Sequence, residues 1–309
     1  MHRSIQSTLM ILCCSLLLAG TAGCGSPNKG PVTIADMLAR ARKAKTPEGK
    51  ARELAKVAVQ QATTDKRGAA DTLAEAVSAV PADGQPLACV PVLVDIATTY
   101  CDIGQRAAAK KAVVTATTMA SQVEDPLGRT QLLAQIGIVQ GSREGGLGDP
   151  AAARETLAEA AKLATDEVAE RFRGKALAAV ATGYADAGLA TEAKDMIGTL
   201  EALAQGLDDL RPKAEAFAAA AAVRAAAGEQ EAAAALLAEA AKAAKGIDDF
   251  PANRAYALVA VAKAFKANGD TKGAVALLAD AEKSASKVGD PQQQKDALRA
   301  VRLLQSKLE

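Results

Sequence analysis

The fold is decided by the stretch from Arg173 to Ala204, which reads RGKALAAVATGYADAGLATEAKDMIGTLEALA. Leu177, Val180 and Tyr184 have the i, i+3, i+7 spacing that places side chains on one face of an α-helix. Gly188 then interrupts the pattern, and glycine suits the positive φ that commonly ends a helix. A second apolar face follows at helical spacing, formed by Ala193, Ile197, Leu200 and Ala204. The stretch therefore predicts two amphipathic helices joined by a tight turn.

This pair of helices recurs about six times along the chain. Its turn glycines are separated by 44, 40, 40 and 41 residues, at Gly104, Gly148, Gly188, Gly228 and Gly269. The longest interval contains an extra loop, GSREGGLG at 141–148, and a weaker first copy turns near Asp65. A helix pair this small cannot bury both faces alone, whereas stacked copies can. The sequence predicts an all-α solenoid of about six helix-turn-helix repeats, period about 40, with capping helices near 33–44 and 292–308.

The repeat resembles the tetratricopeptide repeat over roughly residues 47 to 308. The residues at that family's apolar, small, aromatic, turn and second-helix positions are Leu177, Val180, Ala181, Tyr184, Gly188, Ala193, Ile197 and Leu200. Three departures stand out. The family's first-position Trp is aliphatic or Phe here, its closing Pro is mostly missing, and each unit exceeds the usual length of about 34 residues. The resemblance implies a right-handed solenoid whose first helices line a concave, peptide-binding face.

Small, uncharged residues occupy most of the positions that the resemblance assigns to this concave face. They include Thr98, Cys101, Thr182, Ala185, Ala222, Ala225, Lys263 and Lys266. Near the C-terminal end, Tyr256, Lys263 and Lys266 favour an acidic or carboxylate-bearing partner, although both lysines are equally compatible with simple solvation. The Lys/Asn clamp that some family members use for a terminal carboxylate is not visible. The candidate partner-binding residues are Tyr256, Lys263, Lys266, Thr98 and Thr182.

The N-terminal residues 1–23 have the features of a lipoprotein signal peptide. Arg3 supplies the positive start, and the apolar run from Leu9 to Ala19 is too short to span a membrane as a mature helix. The following tetrad, Thr21-Ala22-Gly23-Cys24, resembles a bacterial lipobox, which implies acylation of Cys24 after cleavage. The alternative is an ordinary signal peptide cleaved nearby and a soluble, secreted product.

Residues 24–32 then comprise the lipidated cysteine and a flexible tether rich in Gly, Pro, Ser and Asn. The helical repeat domain is expected at 33–309. Gly25, rather than Asp, follows the cysteine, which favours the outer membrane in bacteria that sort lipoproteins by that residue. We therefore expect a lipoprotein of the bacterial cell envelope that is anchored in the membrane and faces the periplasm.

The composition of the mature chain argues against several classes of chemistry. The single histidine, His2, lies in the signal segment, so Ser–His, Cys–His and histidine-metal sites are excluded. Lys and Arg total 37 in the full chain, and 36 once Arg3 leaves with the signal, against 36 Asp and Glu; this balance argues against nucleic acid as a default partner. The acidic residues that lie at turns and helix starts suit capping better than catalysis: Asp125, Asp149, Asp208, Asp209, Asp248, Asp249, Asp270 and Asp290. No enzyme activity, cofactor or metal is expected.

A row of cations recurs four residues before the first core position of most repeats. Its members are Lys50, Arg129, Arg173, Lys213 and Arg254, and the row is interrupted by Cys89 and Gln294. One interpretation is ion pairing with acids just upstream, such as Asp125, Glu170, Asp209 and Asp249. The other is an anion-facing stripe for a partner or for lipid headgroups.

The remaining cysteines, Cys89 and Cys101, are not expected to pair with each other. Twelve residues along one helix separate two Cα atoms by about 18 Å, well beyond the reach of a disulfide. Pro91 predicts that the helix either starts there or is kinked.

Taken together, these features favour a lipid-anchored scaffold that binds another protein through a helical repeat surface. A non-catalytic structural spacer of the envelope is the first alternative, and an enzyme that uses paired carboxylates is the second.

Overall fold

The computed structural model describes residues 32–308. The predicted signal peptide, the proposed lipidation site Cys24 and all but the last residue of the predicted tether lie outside the described residues. Within 32–308 the chain forms α-helices and no β-strand. The helices are α1 Ile34–Arg42, α2 Pro47–Ala62, α3 Lys66–Ala79, α4 Pro86–Asp102, α5 Arg106–Ala120, α6 Pro126–Gly141, α7 Pro150–Asp166, α8 Glu170–Asp186, α9 Ala190–Gly206, α10 Leu210–Ala226, α11 Gln230–Lys245, α12 Pro251–Ala267, α13 Thr271–Ala285 and α14 Pro291–Gln305.

The helices from α2 to α13 form six antiparallel pairs, each a first helix packed against the second helix that follows it. Each first helix also packs on the first helix of the next pair, whereas each second helix packs mainly on the first helices of its own and the following pair. The terminal helices α1 and α14 cover the two ends. The predicted solenoid of six repeats with capping helices is therefore confirmed.

The turn between the helices of a pair is closed by two backbone hydrogen bonds around a glycine. In the fourth pair, Gly188 has a φ of +78° and donates its N–H to the carbonyl of Ala185 at 3.0 Å. The next N–H, that of Leu189, donates to the carbonyl of Tyr184 at 2.8 Å. This arrangement satisfies carbonyls that the helix end would otherwise leave without partners. The turns at Gly104, Gly228 and Gly269 have the same closure.

The third pair keeps the second of these two bonds despite its longer loop. Helix α6 ends at Gly141, and the N–H of Asp149 donates to the carbonyl of Gln140 at 2.7 Å. That bond corresponds to the one between Leu189 and Tyr184. The extra residues therefore bulge out between two ends that the turn still holds together, and the later repeats keep their spacing.

A side chain caps the start of α2, α3, α6, α7, α10, α13 and α14, whereas no side chain caps α4, α5, α8, α9, α11 or α12. The carboxylate of Asp125 accepts from the N–H of Gly128 at 2.7 Å, and the same role falls to Asp149, Asp209, Asp270 and Asp290. These capping predictions are confirmed. Asp248 instead pairs with Arg254, because α12 begins at Pro251 with Phe250 in the cap position.

The core consists mainly of large aliphatic residues with alanines between them. The largest fully buried side chains are leucines and isoleucines contributed by both helices of the pairs: Leu54, Leu73, Leu93, Ile96, Leu133, Ile136, Leu157, Leu177, Leu200, Leu237, Leu258 and Leu278. Complete burial of one such side chain contributes about 1.5–3 kcal/mol. The alanines between them let neighbouring helices approach closely, so the stacked pairs share one continuous core.

Both cysteines lie on α4 as free thiols, Cys89 buried and Cys101 partly buried, so the absence of a bond between them is confirmed. Helix α4 starts at Pro86, and Pro91 lies inside it. Among residues 32–308, no helix has the length and hydropathy needed to cross a bilayer.

Candidate functional site

The first helices α6, α8, α10 and α12 line one continuous groove. Its two parts have volumes of about 450 and 340 Å³ and share Ala178, Ala219 and Ala222. We call this surface the alanine groove, because its floor in the second part is formed by Ala178, Ala219, Ala222, Ala260, Ala264 and Ala267. The floor exists because the core-facing positions of these helices carry the large residues, which leaves methyl groups on the opposite face.

The groove lies on the inner layer of the solenoid. First helices pack on one another along the stack, whereas second helices make no comparable contacts among themselves within the described chain. When helices touch in one layer and spread apart in the other, the stack curves toward the layer in which they touch. The layer of first helices, to which the sequence assigned the concave face, is therefore the inner side of the curve.

Charged side chains line the edges of the alanine groove. Arg171, Lys175 and Lys263 lie around the second part, together with Glu215. The carboxylate of Glu215 is already paired with Arg211 at 2.9 Å. The remaining charge around this part of the groove is therefore positive.

An exposed aromatic ring, Phe172, also lines the groove and was not among the predicted site residues. Its side chain is 41% exposed, and the guanidinium carbon of Arg171 lies 4.6 Å from the ring centroid. The sequence held a usable signal, since Phe172 lies five residues before Leu177 and so falls off the apolar face of α8.

The structure places only two of the five predicted partner-binding residues in the groove. Thr182 lines its first part and Lys263 its second. The ammonium group of Lys266 instead donates to the carbonyl of Lys307, beyond the last helix. The ring of Tyr256 lies beneath the guanidinium of Arg211, 5.3 Å from its carbon, outside the alanine floor.

The fifth predicted residue, Thr98, lies beside the long loop that follows α6. A side chain at Gly145, where φ is +66°, would come within 3.5 Å of Thr98 Cγ2 and 3.4 Å of Asp102 Oδ1. The loop is fixed at its start, where the Ser142 hydroxyl donates to the carbonyl of Asp186 at 2.9 Å. Burial raises the pKa of the Asp102 carboxyl group and of the Asp186 carboxyl group. The loop therefore occupies the first-helix face of α4, and the open groove begins at α6.

The basic row is engaged within the chain; Arg254 pairs with an acid just upstream, as one interpretation expected, but none of the four acids named from the sequence is a partner. Arg129 pairs with Glu159, Lys50 with Glu75 at 3.4 Å, and Arg254 with Asp248 at 3.3 Å. The other two members bind backbone carbonyls just upstream: Arg173 binds that of Val168 at 3.3 Å, and Lys213 that of Leu207 at 2.9 Å.

Gln294, which interrupts the row in sequence, binds the corresponding carbonyl of Val288 at 3.2 Å. Two of the expected acids, Asp125 and Asp209, cap helices instead. These bonds tie the start of five first helices and of α14 to their own repeat or to the preceding loop, which gives the row a structural role.

The architecture defines the class of protein, an all-helical repeat protein built from stacked helix pairs. No family profile matches the chain, and no curated protein shows significant similarity to it. Similar solved structures include Ton1535 from Thermococcus onnurineus NA1, at 16% identity and a TM-score of 0.30, covering 87% of this chain and 83% of that one. Another is the assembly chaperone of RpL4, Acl4 (residues 1–338), at 16% identity and 0.30, covering 82% and 97%. Similarity this low carries no argument about function.

Proposed function

We propose that this protein is a lipid-anchored scaffold of the bacterial cell envelope that binds another protein through the alanine groove. The observation that carries the proposal is the groove itself, an open apolar surface across four helices with a positively charged edge. Isolated apolar residues are common on surfaces, whereas a contiguous apolar groove with a polar rim is typical of an interaction site.

Two features of the sequence support the finer part of the proposal. The resemblance of the repeat to the tetratricopeptide repeat favours a protein-binding role, and the lipobox-like tetrad that ends at Cys24 favours a membrane anchor. Gly25 after the cysteine is most consistent with a location in the outer membrane, facing the periplasm. Replacing Cys24 with alanine should release the protein from washed membranes or leave it unprocessed, and a processed variant that stays membrane-bound would contradict the anchor.

Photocrosslinking in cells tests the binding role. A photoreactive amino acid at Thr182 places the probe in the groove, and one at Val275, an exposed position on α13, serves as the matched control on a second helix. We expect a discrete crosslinked protein from Thr182 alone, which disappears when Ala219 and Ala222 are both replaced by glutamine to fill the groove. Equal crosslinking at both positions, or none, would favour the spacer alternative.

A further inference from the structure

The floor of the alanine groove fits an element of secondary structure better than a single inserted side chain. Its side chains are methyl groups from three successive first helices, among them Ala178, Ala222 and Ala260, and the surface is open. Interaxial distances between packed helices are about 8–10 Å, and the smallest side chains allow the lower end of that range. A helix with small residues on one face can therefore lie close along this floor.

The second part of the groove offers few hydrogen-bonding partners to the backbone of an extended segment. The backbone groups of its walls are already hydrogen-bonded within α8, α10 and α12, and its alanine floor carries no polar side chain, whereas the first part adds Gln131, Gln135 and Thr182. An extended segment would bury peptide N–H and C=O groups without partners, and each such group costs about 1–3 kcal/mol. A helix bonds its own backbone groups along its length, so it avoids that cost.

The edges of the groove carry cations that form no ion pair with another side chain among residues 32–308. None of the ion pairs formed by residues 32–308 includes Arg171, Lys175 or Lys263. The one acidic residue that lines the second part of the groove, Glu215, forms an ion pair with Arg211. Charge complementarity therefore calls for a ligand with acidic residues beside its apolar face.

We propose that the occupant of the alanine groove is an amphipathic helix of a partner protein, with small apolar residues on one face and acidic residues along its flanks. The inference rests on the proposed function, since it names the ligand of the same groove. Three steps of about 9 Å separate α6 from α12, so a helix that crosses them all has about 18 residues. Phe172 stands at the edge of the groove and adds an aromatic contact for an apolar side chain of that helix.

Peptide selection against the protein tests the inference without knowledge of the natural partner. A library of displayed random peptides of about 18 residues is selected on the mature chain, with Cys24 replaced by serine. The variant with glutamine at both Ala219 and Ala222 is used for counter-selection. We expect the enriched peptides to lack proline, to carry acidic residues three or four positions apart beside small apolar ones, and to gain helical circular dichroism on binding.

Charge reversal then tests the electrostatic part with a synthetic copy of the best peptide. Lys175→Glu with Lys263→Glu should weaken binding roughly ten- to thirtyfold at low salt, because two attractive contacts become repulsive. The effect should shrink in 1 M salt, where the screening length is about 3 Å. The matched control, Lys194→Glu with Lys272→Glu on exposed positions of second helices, has the same change in net charge and should leave affinity within about twofold.

The two proposals fail in different ways. Enriched peptides that are basic or rich in proline, or that bind without gaining helicity, would overturn the helical acidic ligand, as would a selection that enriches nothing. If Thr182 still crosslinks to a protein in cells, the binding role of the groove survives that result. If no crosslink forms and the groove-filling substitutions leave every selected peptide unaffected, the groove is not the binding site and both proposals are wrong.

Discussion

Two glycines of the fourth repeat provide a sharp test of the turn geometry. Gly188 closes the turn with a φ of +78°, and Gly198 lies within α9. A methyl group added at either position would meet no heavy atom within 4 Å. Replacing each with alanine therefore changes the backbone preference alone, without a steric clash.

The expected changes in the free energy of unfolding have opposite signs. Alanine in the left-handed conformation at Gly188 costs about 1–2 kcal/mol, and reduced freedom of the unfolded chain returns about 0.4–1 kcal/mol. The net loss of stability is about 1 kcal/mol. At Gly198 alanine should add about 0.5–1 kcal/mol, since glycine is the poorer helix former. The two variants should therefore differ by about 1.5–2 kcal/mol.

Hydrogen exchange resolved to peptides of α8 and α9 is the appropriate measurement, because stacked repeats need not unfold in one step. Faster exchange is expected in Gly188→Ala and slower exchange in Gly198→Ala. Gly188→Asn should recover part of the loss, since asparagine tolerates the left-handed region better than alanine. Shifts of the same sign in the two alanine variants would show that the turn does not require a positive φ.

Three further perturbations test other parts of the structure. Asp186→Asn should stabilise the protein near pH 7 by about 0.3–1 kcal/mol, because it removes a negative charge from the C-terminus of α8. Burial raises the pKa of Asp186, so the free energy of unfolding of the wild type increases as the pH falls through that pKa. The variant lacks this increase. Urea unfolding at several pH values will measure the difference. Arg224→Leu should cost about 1.5–3 kcal/mol in urea unfolding. It leaves Glu201 without the guanidinium that now lies 2.8 Å away, in a contact through which Glu201 raises the pKa of Arg224. Exchange in the wild type should be fastest in α1 and α14, and uniform protection across the repeats would contradict repeat-wise unfolding.

The repeat count, the turns and most helix starts could be predicted because each depends on residues close together in sequence. The spacing from Leu177 to Tyr184 predicts an apolar helix face, Gly188 predicts a turn, and Asp125 predicts a helix start. None of these predictions depends on how the neighbouring repeats pack.

These patterns could not predict which residues line the alanine groove. It depends on how successive repeats are rotated and on where the long loop folds. Thr98 lies beside that loop, and Lys266 reaches the carbonyl of Lys307, forty-one residues later in the sequence. The partners of the basic row were missed for a similar reason, since Lys213 binds backbone carbonyls, which no side-chain pattern records.

The two layers of the solenoid have unequal mechanical stiffness. Its first helices form an unbroken chain of contacts, whereas its second helices are linked only through them. Bending that spreads the second helices breaks few contacts, and bending that separates the first helices must open the shared core. The solenoid formed by residues 32–308 is consequently easiest to bend in one direction, in which the spacing of the outer helices changes while the inner row of first helices acts as the hinge.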